Sequence, residues 1–412
     1  MKFLTKISIQ KSWIIVCFFN FLIASLMGLL MRFYYLFPVK HINYGFLLHA
    51  HSHVAMLGWT YLLIYVLIVH FFIPKHKSSK PIYNQLFWLT EFSVVGMMIS
   101  FPVQGYALFS IVFSTLHILL SYIFCGLVWR DCCKGKRTDK KLLLGAILFM
   151  ILSTVGVWSL GPIISMVGKL GILYQIAIQF FLHFQFNGWF LLAVLALFLK
   201  QFKNEIDKEQ FKVFFILLII STIVTVAFPV SWYVKNNLIT IVNAVGVVLQ
   251  LIAFVYFYKM LKPQILWFKA SLSATAKMVY SLAICSLFLK IIVQLLLLIP
   301  DIASSSHQIR GFVIGFIHLT TLGIITGFLF GILFQNKLLS ANSSLVRSGV
   351  KCFIVGYIFT EIILFLQGGL FYFNIGLLPF YYESIFAASA FIVLGLILII
   401  ISELRIKKIR AD

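Results

Sequence analysis

Residues 47–74 read LLHAHSHVAMLGWTYLLIYVLIVHFFIP. The stretch holds no Lys, Arg, Asp or Glu, and it exceeds the roughly 20 apolar residues that a helix needs to cross a bilayer. Its polarity is gathered at one end, in His49, His51 and His53, with His70 near the other. An intramembrane imidazole is costly unless it is paired or bound, so this span carries both a fold assignment and a question about function.

The rest of the chain is built in the same way. Of its 412 residues 62% are hydrophobic and 11% charged, with mean hydropathy +1.05. A soluble domain carries about 25% charged residues, and a disordered chain is also polar, so both classes are excluded. The apolar runs are continuous rather than alternating, which excludes a membrane β-barrel. Hydropathy places spans at 13–36, 45–73, 84–103, 106–129, 141–165, 172–199, 211–230, 237–258, 274–299, 310–335, 350–373 and 380–402. The first follows the basic segment MKFLTKISIQK and is too long for a signal-peptide core, so it reads as a retained span.

The formal charge is +22, which in a soluble protein would suggest nucleic acid. Here the excess follows topology. All of the 33 Lys and Arg lie at the odd-numbered loop face except Arg32, Lys40, Lys169, Lys235, Lys290 and Arg310. The positive-inside rule then predicts a multi-pass protein of the cell inner (cytoplasmic) membrane with both termini cytoplasmic. The expected partners are membrane lipid and no nucleic acid. Cys17, Cys125, Cys132, Cys133, Cys285 and Cys352 show no CxxC or haem-attachment spacing and read as free thiols.

A short motif repeats along the chain. His53-Val-Ala-Met-Leu-Gly58, His183-Phe-Gln-Phe-Asn-Gly188 and His318-Leu-Thr-Thr-Leu-Gly323 each read H-x-x-x-[LN]-G, and the first two continue with Trp59 and Trp189. They fall in spans 2, 6 and 10, four spans apart. The expected fold is therefore an all-α integral membrane domain over 1–412. Its twelve transmembrane helices form three pseudo-symmetric four-helix arcs, approximately 1–135, 136–265 and 266–412. Each motif His lies about 12–17 Å into its span from the outer face.

Six histidines lie at membrane depth: His49, His51, His53, His117, His183 and His318. Neutral imidazole ligates metals and haem, and it also serves as an interhelical hydrogen-bonding group. His49 and His53 share a helix face, while His51 points about 200° away, towards a different neighbour. The motif glycine leaves room either for a neighbouring helix or for a flat macrocycle. Arg32 and Arg310 can pair with haem propionates or snorkel to headgroups. His41, His76, His307 and His70 read as solvated or interfacial. Glu91, Glu361, Glu383 and Lys290 read as interhelical pairs or as part of a proton route. Thr320, Thr321 and Thr326 read as donors to backbone carbonyls.

The H-x-H…LGW pattern of span 2 resembles that of haem-copper oxidase subunit I-like proteins, and its His-Ala-His resembles the related NnrS-like membrane proteins. Such proteins have twelve spans in three arcs. The resemblance implies a low-spin haem, b-type, ligated by His53 or His51 together with His318. It also implies a second metal site, copper in the oxidases, at His183, with His49 and His117 as further candidate ligands. Span 7 lacks the oxidases' adjacent His pair and span 10 lacks their H-x-H. The copper set is incomplete, which argues against oxygen reduction and pumping. The expected function is thus haem-based electron transfer or a nitric-oxide-related oxidoreductase role, with a cytochrome or quinol as electron donor and with partner subunits. The alternatives are a metal or small-solute transporter, and a scaffold that kept the fold without its cofactors.

Overall fold

The computed structural model describes residues 9–37, 39–132, 138–202, 206–341 and 343–409; Lys2, Lys6 and Cys133 lie outside the described residues. Among the described residues the chain is helical, without strands, and twelve helices are long and apolar enough to cross a membrane. They are α1 (Lys11–Leu36), α2 (Tyr44–Phe72), α3 (Pro81–Gln104), α4 (Leu108–Asp131), α5 (Thr138–Val167) and α6 (Ile172–Leu199), followed by α7 (Lys208–Ser231), α8 (Asn237–Ala270), α9 (Ala274–Leu296), α10 (Arg310–Gln335), α11 (Ser344–Tyr372) and α12 (Tyr381–Arg405). The end of each helix next to the Lys/Arg-rich loops is here the basic end, and the opposite one the far end.

Local chemistry sets the helix starts. Asn43 Oδ1 accepts from the Phe46 N–H before α2, Asp207 Oδ1 from Gln210 before α7, and Asn236 Oδ1 from Leu238 before α8. Each side-chain oxygen satisfies one of the N–H groups that a first turn leaves without a partner. Pro81 opens α3, where its missing N–H is harmless. Gly105 ends α3 at φ +61°, and a Cβ there would stand 2.4 Å from the Phe46 ring, so both conformation and space demand glycine.

Packing divides the chain into two units. The first comprises Met1–Cys133, Ser273–Leu282 and Leu329–Asp412; the second comprises Lys134–Leu272 and Ala283–Phe328. In the first unit α3 pairs with α4, α11 with α12, and α1 with both α2 and α12. In the second, α5 pairs with α6 and α7 with α8.

The centre of each unit follows from sequence. Leu62–Val69 of α2 and Leu191–Leu199 of α6 are apolar on every face, and every residue in both runs is buried. In both helices 83% of the most apolar window is buried, against 28% in α8, whose residues Val245, Val248, Ile252 and Val255 are exposed. Two of the three helices that carry a motif histidine, α2 and α6, are therefore the most deeply buried of the twelve, with α10 at 56%.

Buried acids fasten the basic ends. In the first unit Asp131 accepts from Lys77 Nζ at 3.1 Å, Tyr83 Oη at 3.1 Å and Arg130 Nε at 2.9 Å, and Glu403 takes Lys11 at 3.4 Å. In the second unit Asp139 takes Lys200 at 3.3 Å.

Candidate functional site

In the first unit α2 presents its histidines to two neighbours. His51 faces α1: its Nδ1 lies 2.8 Å from the Ala24 carbonyl oxygen. A carbonyl only accepts, so this contact fixes the Nδ1–H tautomer and leaves the Nε2 lone pair to serve as a ligand. Gly28, one turn along α1, makes room for the ring, because a Cβ there would stand 2.9 Å from His51 Cε1 and 3.2 Å from Nδ1. Arg32, one turn further, is half-buried and within electrostatic reach of His51 and of Glu361 on α11.

His49 and His53 look the other way, onto the far-end aromatic rings of Phe101 and Tyr106. His53 Nδ1–H donates to the His49 carbonyl at 2.8 Å, and its Nε2 stands 3.3 Å from the Tyr106 hydroxyl. His117 of α4 is 3% exposed, with its ring edge-on to Tyr61 at 4.7 Å and, among the described residues, no hydrogen-bond partner for its Nε2.

In the second unit His183 spends both ring nitrogens on protein groups. Its Nε2–H donates to the Thr222 carbonyl of α7 at 2.8 Å, and its Nδ1 accepts from the Asn187 amide at 3.4 Å. This is the interhelical hydrogen-bonding role open to any buried imidazole. His318 is half-buried on α10, eight residues from the exposed Arg310 that begins the helix. Among the described residues no group of three or more His, Cys, Asp or Glu side chains is arranged to hold a metal ion. His41, His70 and His76 are exposed, and half-buried His307 stacks on Trp232 at 5.3 Å.

Each motif has a backbone signature that sequence reading does not reveal. Immediately after His53, His183 and His318 the helix widens into a π-helical stretch: Val54–Tyr61, Phe184–Phe190 and Leu319–Thr326. Such i→i+5 stretches are rare, usually a single turn, and concentrate at functional sites. The wide ladder disturbs the regular carbonyl pairing, and side chains complete it. Asn20 Nδ2 donates to the Gly58 carbonyl at 3.1 Å and to Glu91 Oε2 at 2.7 Å. Thr60 donates to Ala55 O, while Thr320 and Thr321 donate to Phe316 O and Ile317 O. The motif glycines Gly58 and Gly188 serve helix packing, since a Cβ would stand 2.9 Å from Val94 and 2.6 Å from Phe149.

Glu91 is therefore paired with an amide rather than with a lysine. Replacing Asn20 by Ala strips a buried carboxyl and a buried carbonyl of their shared donor. The expected loss is about 2 kcal/mol, read as a lowered thermal midpoint in detergent, and Asn20→Gln should recover part of it.

On the α1 side of the site, sequence reading picked out Arg32 but passed over Asn20, Ala24 and Gly28. Asn20, Ala24, Gly28 and Arg32 recur at intervals of four, a single helical stripe in an otherwise apolar span. Small and polar residues at that period were the available signal. Tyr106, the neighbour of His53, gave none. Scanned against models of known protein families and compared with curated proteins, the chain matches none of them.

Proposed function

We propose that this is a haem-binding integral membrane protein that transfers electrons or responds to a diatomic gas such as nitric oxide, built on three four-helix arcs. The observation that supports haem most directly is His51. Its tautomer is fixed by a backbone carbonyl, its ring lies in a space that only glycine at position 28 provides, and Nε2 is the nitrogen left to bind iron. These are the properties required of an axial ligand, and they favour His51 over His53, whose Nε2 already faces Tyr106. In the second unit His318 is the proposed ligand residue.

A bound haem supplies a one-electron Fe(III)/Fe(II) couple. The chain's own contribution is to orient the imidazole through Ala24, to seat the half-buried ring against α1 at Gly28, and to place Arg32 where it bears on the charge at the site. The π turns after the three motif histidines support the three-arc reading, because the same backbone irregularity recurs at the same register of every fourth span. The orientation proposed is a cell inner membrane with the basic ends cytoplasmic, and the electron donor a cytochrome or quinol.

The test is the reduced-minus-oxidised absorbance of the protein purified in detergent, with metal analysis alongside. A Soret band with α and β bands is expected. His51→Ala and His318→Ala should remove it, whereas His53→Ala and the exposed-site His76→Ala should keep it. Copper or zinc without a Soret band would favour the transporter reading, which the mid-span π turns also suit. Neither metal nor pigment would leave the scaffold.

A further inference from the structure

Lys290 of α9 is fully buried, at 0% exposure, inside a helix that is otherwise apolar around it. Its Nζ donates to Gln294 Oε1 at 3.0 Å and lies 5.5 Å from the centroid of the Phe316 ring on α10. An ammonium has three N–H donors, and this one uses a single neutral acceptor. Among the described residues Lys290 has no ion-pair partner, so the expected interhelical pair does not form there. The described carboxylates of the second unit are committed elsewhere: Asp139 to Lys200, Asp207 to the start of α7, and Glu209 and Asp301 to exposed positions.

A buried ammonium is costly without a counter-charge, and a neutral amine would leave N–H groups dry. Lys290 and Phe316 each lie six residues from the far end of their helices, about 9 Å in. His183, held by Thr222 and Asn187, is within electrostatic reach of Lys290.

We propose that Lys290 is the charge-recognition group of a carboxylate-binding site in the far half of the second unit. An ammonium at this depth is a point charge with two spare donors, which suits one carboxylate group. That group has two possible sources, a propionate of a bound haem or a small free carboxylic acid. Only the first rests on the haem reading given above.

The experiment uses the full chain in detergent, as wild type, Lys290→Met and Lys290→Arg. In one arm haem and haem dimethyl ester are titrated and followed by absorbance. In the other, acetate and benzoate are titrated and followed by the thermal midpoint. If the carboxylate is the cofactor's own, Lys290→Met weakens haem about tenfold or more, Lys290→Arg restores most of it, and the diester binds all three proteins alike. If it is a free acid, acetate or benzoate raises the midpoint of the wild type and of Lys290→Arg but not of Lys290→Met. Removing a lone buried charge does not threaten folding, and diester binding equal to wild type or an unliganded midpoint no lower than that of wild type confirms it. Should haem bind to none of the proteins, the haem reading fails while the free-acid arm still decides the role of Lys290. Responses identical in wild type and Lys290→Met in both arms overturn the proposal.

Discussion

Gly28→Leu is expected to abolish the haem absorbance of the purified protein about as completely as His51→Ala does, although residue 28 carries no ligand atom. The reason is distance. Even a Cβ at Gly28 would stand 2.9 Å from His51 Cε1, which is closer than carbon atoms approach, and leucine adds three more carbons beyond it. The ring must turn away, and turning breaks the 2.8 Å contact of Nδ1 with the Ala24 carbonyl. Groups that orient a metal-bound imidazole typically carry 10–100-fold in affinity. Gly28→Ala, with its single added carbon, should therefore lower haem occupancy by about tenfold, while leucine should remove it. The absorbance of Gly28→Ala after titration with excess haem is the discriminating measurement. Recovery of the wild-type spectrum at high haem identifies a weakened site. An unweakened site in both variants would mean that His51 does not carry the cofactor, and the assignment would pass to His53.

The second large effect lies at the opposite end of the same unit. Asp131→Ala is expected to destabilise the protein by about 3 kcal/mol, because it removes the common acceptor of a buried phenol and a half-buried ammonium. Tyr83 is 0% exposed and has no water to turn to once its 3.1 Å partner is gone. Lys77 lies on the short helix Lys75–Ser78 that links α2 to α3, so the ion pair also holds that loop against the end of α4. Arg130 contributes less, since its side chain is 63% exposed. Tyr83→Phe alone should cost about 1 kcal/mol. The double variant should cost less than the two single changes added together, because the stranded hydroxyl is then counted once. Midpoints of thermal unfolding in a single detergent measure all three, and strict additivity would show that the phenol and the carboxylate do not depend on each other.

Much of the architecture was legible in the chain. The twelve spans read from hydropathy coincide with the twelve helices, to the residue in the case of 172–199 and 310–335. One boundary differs clearly: the span expected at 237–258 continues to Ala270, because the helix passes Pro263 through a 3-10 turn at Lys262–Gln264 instead of stopping at Lys259. The opposite faces of His49/His53 and His51 were also legible, since helical geometry alone dictates them. The pairing of Lys290 was not. Its sequence offers carboxylates in the membrane, yet Glu91 is held by Asn20 and Lys290 by Gln294 on its own helix.

What the sequence by itself determined is the number of helices, their approximate places along the chain, and the recurrence of a histidine on every fourth span. These depend on apolar content summed along a run and on the helical period, both of which are local properties. Only the tertiary structure decided which nitrogen of His51 is free, why residue 28 is glycine, that the ladder widens after each motif histidine, and that Lys290 donates to Gln294 rather than to any carboxylate among the described residues. Each of these is settled by an atom on another helix or by the fit of a whole turn against its neighbours, as with Ala24 and His51, 27 residues apart in the chain and 2.8 Å apart at the contact. Hydrogen bonds and steric limits act over a few tenths of an ångström, and no pattern of residue types along a chain carries that resolution.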